Sequence, residues 1–391
     1  MNGLNFYTIT GNTKMKQILL WILILQAFYS SGQKDSVLHL NQIQIIASHN
    51  SYKKYPPAKV IRYLNRIKKL LGKDLDPSGI NYAHLPFDAQ FSDWNIRGLE
   101  IDIYYDPIGG EYYKRALNGL AGLKKKSKVE ELKKPGFKVL HIKDVDYETH
   151  YFTFKQALEA VKKWSDAHPN HLPIFINIES KEEGPGNRSG FLRMLGFKRS
   201  REFDATACDS IDSEIKSVFG KDLKGVITPD WVRGKHATLN EMATSNDWPL
   251  LEECRGKVVF IMEGGAVDDY IQNHPSLKGR VMFIYASPDT PECAFTKQND
   301  PLPPSNTQRI KELARKGYII RTRADSETEE ARIGKYDRLN ACLESGGHII
   351  STDYYVPNVQ LGPYHVHFPN HEIGRVNPVN GGIDGGSGLK E

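Results

Sequence analysis

The chain predicts an α/β fold, a (β/α)8 barrel of the TIM type, and three observations carry that expectation. Eight short β-like runs alternate with helical or loop-like segments along the sequence. Several runs keep apolar residues at every second position and set carboxylates or arginines between them. At 391 residues the chain is long enough to bury one large core. A doubly wound open sheet is the alternative, because the last strands rest on short runs.

Taken in order, the expected strands are 43–48, 99–105, 138–142, 174–178, 257–262, 280–285, 318–322 and 348–352. Helical periodicity lies between them, as in 153–164 and 307–316. In the second strand Leu99, Ile101 and Ile103 share one face, and Glu100, Asp102 and Tyr104 share the other. In the fourth, Ile174, Ile176 and Ile178 oppose Phe175, Asn177 and Glu179. The seventh puts Arg321, Arg323 and Asp325 on one face. The apolar face suits packing against helices, so the charged face points into the barrel near the strand ends, where sites of this fold sit.

Outside the barrel, Met15-Lys16 precedes the apolar run 18–28 and the small residues Ser30, Ser31 and Gly32, an export-signal pattern. Eleven residues fall short of the roughly twenty that span a bilayer. The expected layout is 1–33 as extension and signal peptide, 34–370 as one catalytic barrel and 371–391 as a Gly-rich tail. The protein is expected to be exported, to the periplasm or beyond, as a monomer. An excess of Lys and Arg over Asp and Glu of 52 to 47 does not indicate nucleic acid. Two stretches are locally basic, 62–73 and 124–134. Both follow barrel strands, so both ring the catalytic face and favour an anionic substrate or membrane surface. Cys208, Cys254, Cys293 and Cys342 lack metal-like spacing; an oxidising compartment leaves one or two disulfides open.

Four strand-end signals converge: His49-Asn50, Glu100-x-Asp102, His141 within Val139-Leu140-His141, and Glu179. Each alone also fits a loop, a solvated edge or a core histidine. Together, Asn50, Glu100, Asp102 and Glu179 form an all-oxygen donor set that suits Ca²⁺ or Mg²⁺ and not zinc. Three gathered carboxylates repel without a cation. His49 and His141 supply groups that exchange protons near neutral pH.

These residues resemble the calcium-dependent phosphatidylinositol-specific phospholipase C family, in its exported bacterial-type branch. The matching stretches are His49-Asn50-Ser51-Tyr52, Gly98-Leu99-Glu100-Ile101-Asp102, Val139-Leu140-His141, Trp164-Ser165-Asp166-Ala167-His168-Pro169 and Ile178-Glu179-Ser180-Lys181. Arg321-Thr322-Arg323-Ala324-Asp325 and Ile350-Ser351-Thr352-Asp353-Tyr354 continue the match, which covers about residues 40–360. The resemblance implies a phosphodiesterase that cuts an inositol phospholipid to diacylglycerol and inositol phosphate through a cyclic phosphate. It implies His49 as base and His141 as acid, in either order, with Ca²⁺ on Asn50, Glu100, Asp102 and Glu179. Arg321 or Arg323 would clamp the phosphate, and Asp325 and Asp353 would orient a histidine or touch the metal. Relatives often carry a second histidine close to the third-strand one; here His150 is the nearest substitute. A glycerophosphodiester phosphodiesterase, or a barrel that only binds phospholipid or glycan, are the competing readings.

Overall fold

The computed structural model describes residues 38–68, 77–326 and 328–391. The expected export signal and the end of the first basic stretch lie outside these residues.

Eight parallel strands form a ring: β1 (Ile43–Ser48), β2 (Gly98–Tyr104), β3 (Ile174–Ser180), β4 (Val258–Gly264), β5 (Phe283–Ile284), β6 (Phe295–Lys297), β7 (Ile319–Arg323) and β8 (Ile349–Thr352). Each pairs with the next, and β8 returns to β1 from Ile45–Ile349 to Ser48–Thr352. The narrowest seam is β5 to β6, joined through a bridge between Tyr285 and Phe295. Where β1 meets β2, a Cβ on Gly98 would stand 2.4 Å from that of Ala47. Glycine therefore lets the two strands close.

One expected strand is displaced. Of 138–142 only Lys138–Val139 is extended, and it pairs antiparallel with Ile103 and Tyr104, outside the ring. Its place is taken by β6, whose three residues are too few to give an alternating signal. The expected run 280–285 contracts to β5.

The helices follow the sequence pattern where the pattern is long. They include α1 (Ala58–Ile67), α2 (Phe87–Trp94), α3 (Ala116–Leu120), α4 (Phe154–Ala167), α5 (Gly190–Met194) and α6 (Ala205–Phe219). α7 (Pro304–Arg315) and α8 (Asp337–Ser345) complete the set that matters here. In α4 the Thr153 hydroxyl accepts from Gln156 N at 3.2 Å, and Gln156 Oε1 accepts in return from Thr153 N. That reciprocal cap starts the helix, and Phe154, Ala157, Leu158, Val161 and Trp164 form its buried stripe. Against such stripes pack Ile101, Ile103, Ile176 and Ile178, all fully buried. Truncating one of them to Ala should cost about 2–5 kcal/mol.

Residues 371–391 are tied to the floor of the barrel. Gly374–Val376 pairs antiparallel with the start of β1 and with Gly388–Leu389. The Glu391 carboxylate accepts from Arg97 Nε at 2.6 Å and Nη2 at 2.7 Å. All four cysteines are buried free thiols, so no disulfide forms. Among the described residues no helix is long and apolar enough to cross a membrane.

Candidate active site

The pleat delivers the charged side chains as a register argument requires. Glu100 pairs with Asn177, Asp102 with Glu179, and Glu179 in turn with Glu263. Register partners share a face, so adjacent strands β2, β3 and β4 place a row of acids at their C-terminal ends. Oxygens of Glu100, Asp102 and Glu179 come within 4.8 Å of one another. Both carboxylate oxygens of Asp102 are buried and accept no hydrogen bond. Lys181 Nζ lies 3.3 Å from Asp102 Oδ2 and 3.0 Å from Glu179 Oε1.

The electrostatics of the two inner acids diverge. Burial, with Glu179 and Glu100 adding repulsion, holds the Asp102 carboxyl well above the usual carboxylate range despite Lys181. Glu100 is equally buried, but Arg321, then His49 and Arg323, outweigh that burial and bring it down to about 2. A buried, acceptor-rich carboxylate without donors fits a hard cation, and the all-oxygen trio has the chemistry calcium takes.

His49 is held at both ring nitrogens. Nδ1 lies 2.7 Å from Asp353 Oδ1, and Nε2 lies 3.2 Å from Glu100 Oε1. Burial notwithstanding, His49 and Arg323 keep the Asp353 carboxyl well below the ordinary range. Asp325 supports Asp353 from behind, accepting from the Asp353 backbone N–H at 2.8 Å and from the Thr352 hydroxyl. Its own carboxyl, buried and facing Asp353, is pushed up to about 7. The sequence left open whether these aspartates orient a histidine or meet the metal; Asp353 touches the histidine and Asp325 touches Asp353.

His141 has a matching arrangement. Its Nδ1 lies 2.8 Å from Asp146 Oδ2, which also meets the buried Lys53 ammonium at 3.1 Å. Burial lowers the His141 pKa, with Asp146 opposing. The ring faces a cavity of about 450 Å³ that it shares with Tyr104, Glu179, Lys181 and Arg188. His150 stands elsewhere. Its Nε2 is 2.9 Å from the His84 carbonyl oxygen, and it borders a second cavity of about 420 Å³ with Tyr82, Tyr355 and Asp353.

The remaining expected residues have mixed surroundings. Asn50 sits in the left-handed region at φ 51°, which asparagine tolerates. Its Nδ2 donates to Tyr82 OH at 2.8 Å, and its Oδ1 accepts from Tyr52 OH at 3.3 Å. Arg321 is buried between Glu100, which it contacts directly, and Glu263 at 3.4 Å. Arg323 meets Asp353 at 3.3 Å, while its buried Nε donates to nothing.

Several members of this network escaped the sequence reading. Glu263 contacts Asn177 and Lys297 as well as Arg321. It ends an apolar strand at the same parity as Glu179, a signal that was available. Asp146 and Tyr82 lie on loops and had none.

Comparison with known proteins decides the family. The family model described as "Phosphoinositide phospholipase C, Ca2+-dependent" matches residues 38–378. The chain belongs to that family. It is therefore a phosphodiesterase with calcium as its cofactor. Among solved structures it is similar to the calcium-dependent phosphoinositol-specific phospholipase C of Pseudomonas sp. in an apo crystal form. That match has a TM-score of 0.51 at 15% identity, covering 88% of this chain and 98% of that one. The same Pseudomonas enzyme with myo-inositol gives 0.50 at 16% identity, covering 88% and 96%. A calcium-dependent phosphatidylinositol-specific phospholipase C from Streptomyces antibioticus gives 0.45 at 17%, covering 82% and 96%. At these identities the likeness concerns the fold, a TIM-type barrel. No curated protein matches.

Proposed function

We propose that this phospholipase cleaves phosphatidylinositol, or a close inositol phospholipid, to diacylglycerol and a cyclic inositol phosphate. The observation that carries the reading is the pair of carboxylate-held histidines around one acidic trio: His49 against Glu100, and His141 in the cavity of Glu179. With Nδ1 of each ring held by Asp353 or Asp146, Nε2 is the nitrogen that exchanges protons. In this reading His49 takes the proton of the inositol hydroxyl that attacks phosphorus. His141 returns a proton to the departing glycerol oxygen, and the two exchange roles if the cyclic phosphate is opened by water.

Glu100, Asp102 and Glu179, with the Asn50 amide completing the set, would hold calcium. When bound, the ion offsets charge on the phosphate oxygens and acidifies the attacking hydroxyl. The unsatisfied Arg323 Nε supports a role for that guanidinium in gripping phosphate. Arg321, committed to Glu100 and Glu263, is better placed to fix Glu100 than to leave it. The protein works as a monomer at a membrane surface, after export.

The test is turnover of phosphatidylinositol vesicles with calcium or with chelator, the products followed by ³¹P NMR. A cyclic inositol phosphate that appears only with calcium is expected. Absence of any inositol phosphate, or indifference to the chelator, would overturn the proposal; glycerol phosphate as product would favour the glycerophosphodiesterase chemistry.

A further inference from the structure

Beside the barrel core lies a second, smaller hydrophobic cluster. Val60 and Leu64 of α1, Leu117 of α3, Val145 and Phe197 form its buried centre, with Leu192 and Leu195 packed against it. Every segment in it leaves the C-terminal end of β1, β2 or β3, or the chain that follows, so the cluster stands over one arc of the catalytic rim. α5 lies on its outside. The Ser189 hydroxyl caps this short helix by accepting from Leu192 N. Phe191 and Met194, three residues apart on one face, are 67% and 85% exposed.

The charge of three of this lobe's segments is one-sided. Segments 58–67, 116–128 and 185–201 contain twelve of the chain's 52 Lys and Arg and none of its 47 Asp and Glu. The rest of the chain is therefore net negative by seven, so the chain's positive balance comes from the lobe. All twelve basic side chains are exposed, and two of them pair with acids just outside these segments, Arg188 with Glu183 and Arg201 with Glu111. The lobe also adjoins the cavity: Pro185 and Arg188 border the space that holds His141 and Glu179, and Phe191 follows three residues later.

We infer that this lobe is the surface by which the protein docks on an anionic phospholipid bilayer, with Phe191 and Met194 entering the acyl boundary. Exposed apolar side chains within a field of lysines and arginines have the composition of an interfacial anchor. A phospholipid substrate has its tails in the bilayer and its phosphodiester at the metal, so the membrane contact must lie beside the cavity mouth. This placement rests on the phosphatidylinositol reading; the charge segregation and the exposed pair do not.

The test separates the two. The full protein, in chelator so that no turnover occurs, is sedimented with phosphatidylcholine vesicles with or without phosphatidylglycerol. Binding is expected only with phosphatidylglycerol and should weaken as salt rises. Phe191→Ser/Met194→Ser should lower partitioning about tenfold or more. Lys124→Glu/Lys125→Glu/Lys126→Glu should remove the preference for anionic vesicles. Both variants should hydrolyse a short-chain, monomeric phosphatidylinositol at the wild-type rate and lose activity only on vesicles. Unchanged partitioning of the double serine variant overturns the inference. So does loss of monomeric and vesicle activity in equal proportion, or conversion of a wild-type dimer to monomer by that variant, which would make the face a self-contact. A protein that binds the vesicles but cleaves no inositol lipid would overturn the proposed function and leave this inference standing.

Discussion

Asp102→Asn should make the calcium-free protein more stable and the calcium-loaded protein less so. In the wild type both Asp102 oxygens are buried without a donor, and Glu100 and Glu179 stand within 4.8 Å. An unsatisfied buried group costs about 1–3 kcal/mol, more when charged. Lys181 at 3.3 Å recovers part of that. A neutral side chain of the same shape removes the repulsion, so the gain in chelator should be about 1–3 kcal/mol at pH 8. The pH dependence has a definite sign. The folded-state pKa of Asp102 is raised, so below the ordinary carboxylate range the group is protonated in both states and costs little. Above that range the unfolded chain releases a proton that the folded one retains, and wild-type stability falls as pH rises. The advantage of the variant should therefore be near zero at about pH 4 and grow toward pH 8. Calcium reverses the order, since a ligand at 100 times its Kd stabilises the wild type by about 2.7 kcal/mol and the variant loses most of this. Thermal unfolding in chelator and in calcium, at both pH values, reads all of it. A variant less stable than wild type in chelator at pH 8, or one that keeps the full calcium shift, refutes the reasoning.

His49→Ala and His141→Ala should each lower turnover about 10²–10⁴-fold, the range for a general acid or base. His150→Ala, in the neighbouring cavity, should change turnover little; a loss as large as that of His141→Ala would transfer the acid role to His150. Asp353→Asn should leave the fold intact and lower kcat by about 10²-fold or more, because it disturbs the tautomer and aim of His49; an unchanged kcat would remove Asp353 from the machinery. Glu100, with its pKa brought from 4.5 to about 2, contributes stability that is present above the ordinary range and is lost as pH falls toward 2. That contribution is about 3 kcal/mol, and Glu100→Gln should flatten this part of the stability curve in acid titration.

The inward-facing acids were the most legible part of the sequence. Alternation in β2 and β3 is strict enough that parity alone separated Glu100, Asp102 and Glu179 from the isoleucines between them, and the barrel brings those three together. Signals of that kind are local and need only the pleat. The misplaced strand at 138–142 shows the limit: an apolar run says that a segment is extended, not which neighbour it pairs with. Lys138 and Val139 turn back along β2, and β6 is held by partners on both sides despite its three residues. Asp146 could not be read at all. It reaches His141 through a tight reversal of Ile142 to Asp146, a contact that belongs to the turn. The arginines were legible as inward-facing charges, but the pairing of Arg321 with Glu100 and Glu263 depends on strands far apart in sequence.

The clasp between Arg97 and Glu391 gives the barrel a late step in its making. Arg97 is almost wholly buried at the foot of β2, and Glu391 also accepts from Leu172 N just before β3. These are the two strands that carry the acidic trio. During synthesis they are complete long before Glu391 emerges, and until then the Arg97 guanidinium lacks its counter-charge. Deleting that one residue should cost about 3–5 kcal/mol, the penalty of a buried charge left alone, measurable by chemical unfolding. A wild-type midpoint for the shortened chain would show that the floor closes without it. The alignment of the acidic trio is thus secured from the opposite end of the barrel, by a residue that the ribosome delivers nearly three hundred positions after the strand it anchors.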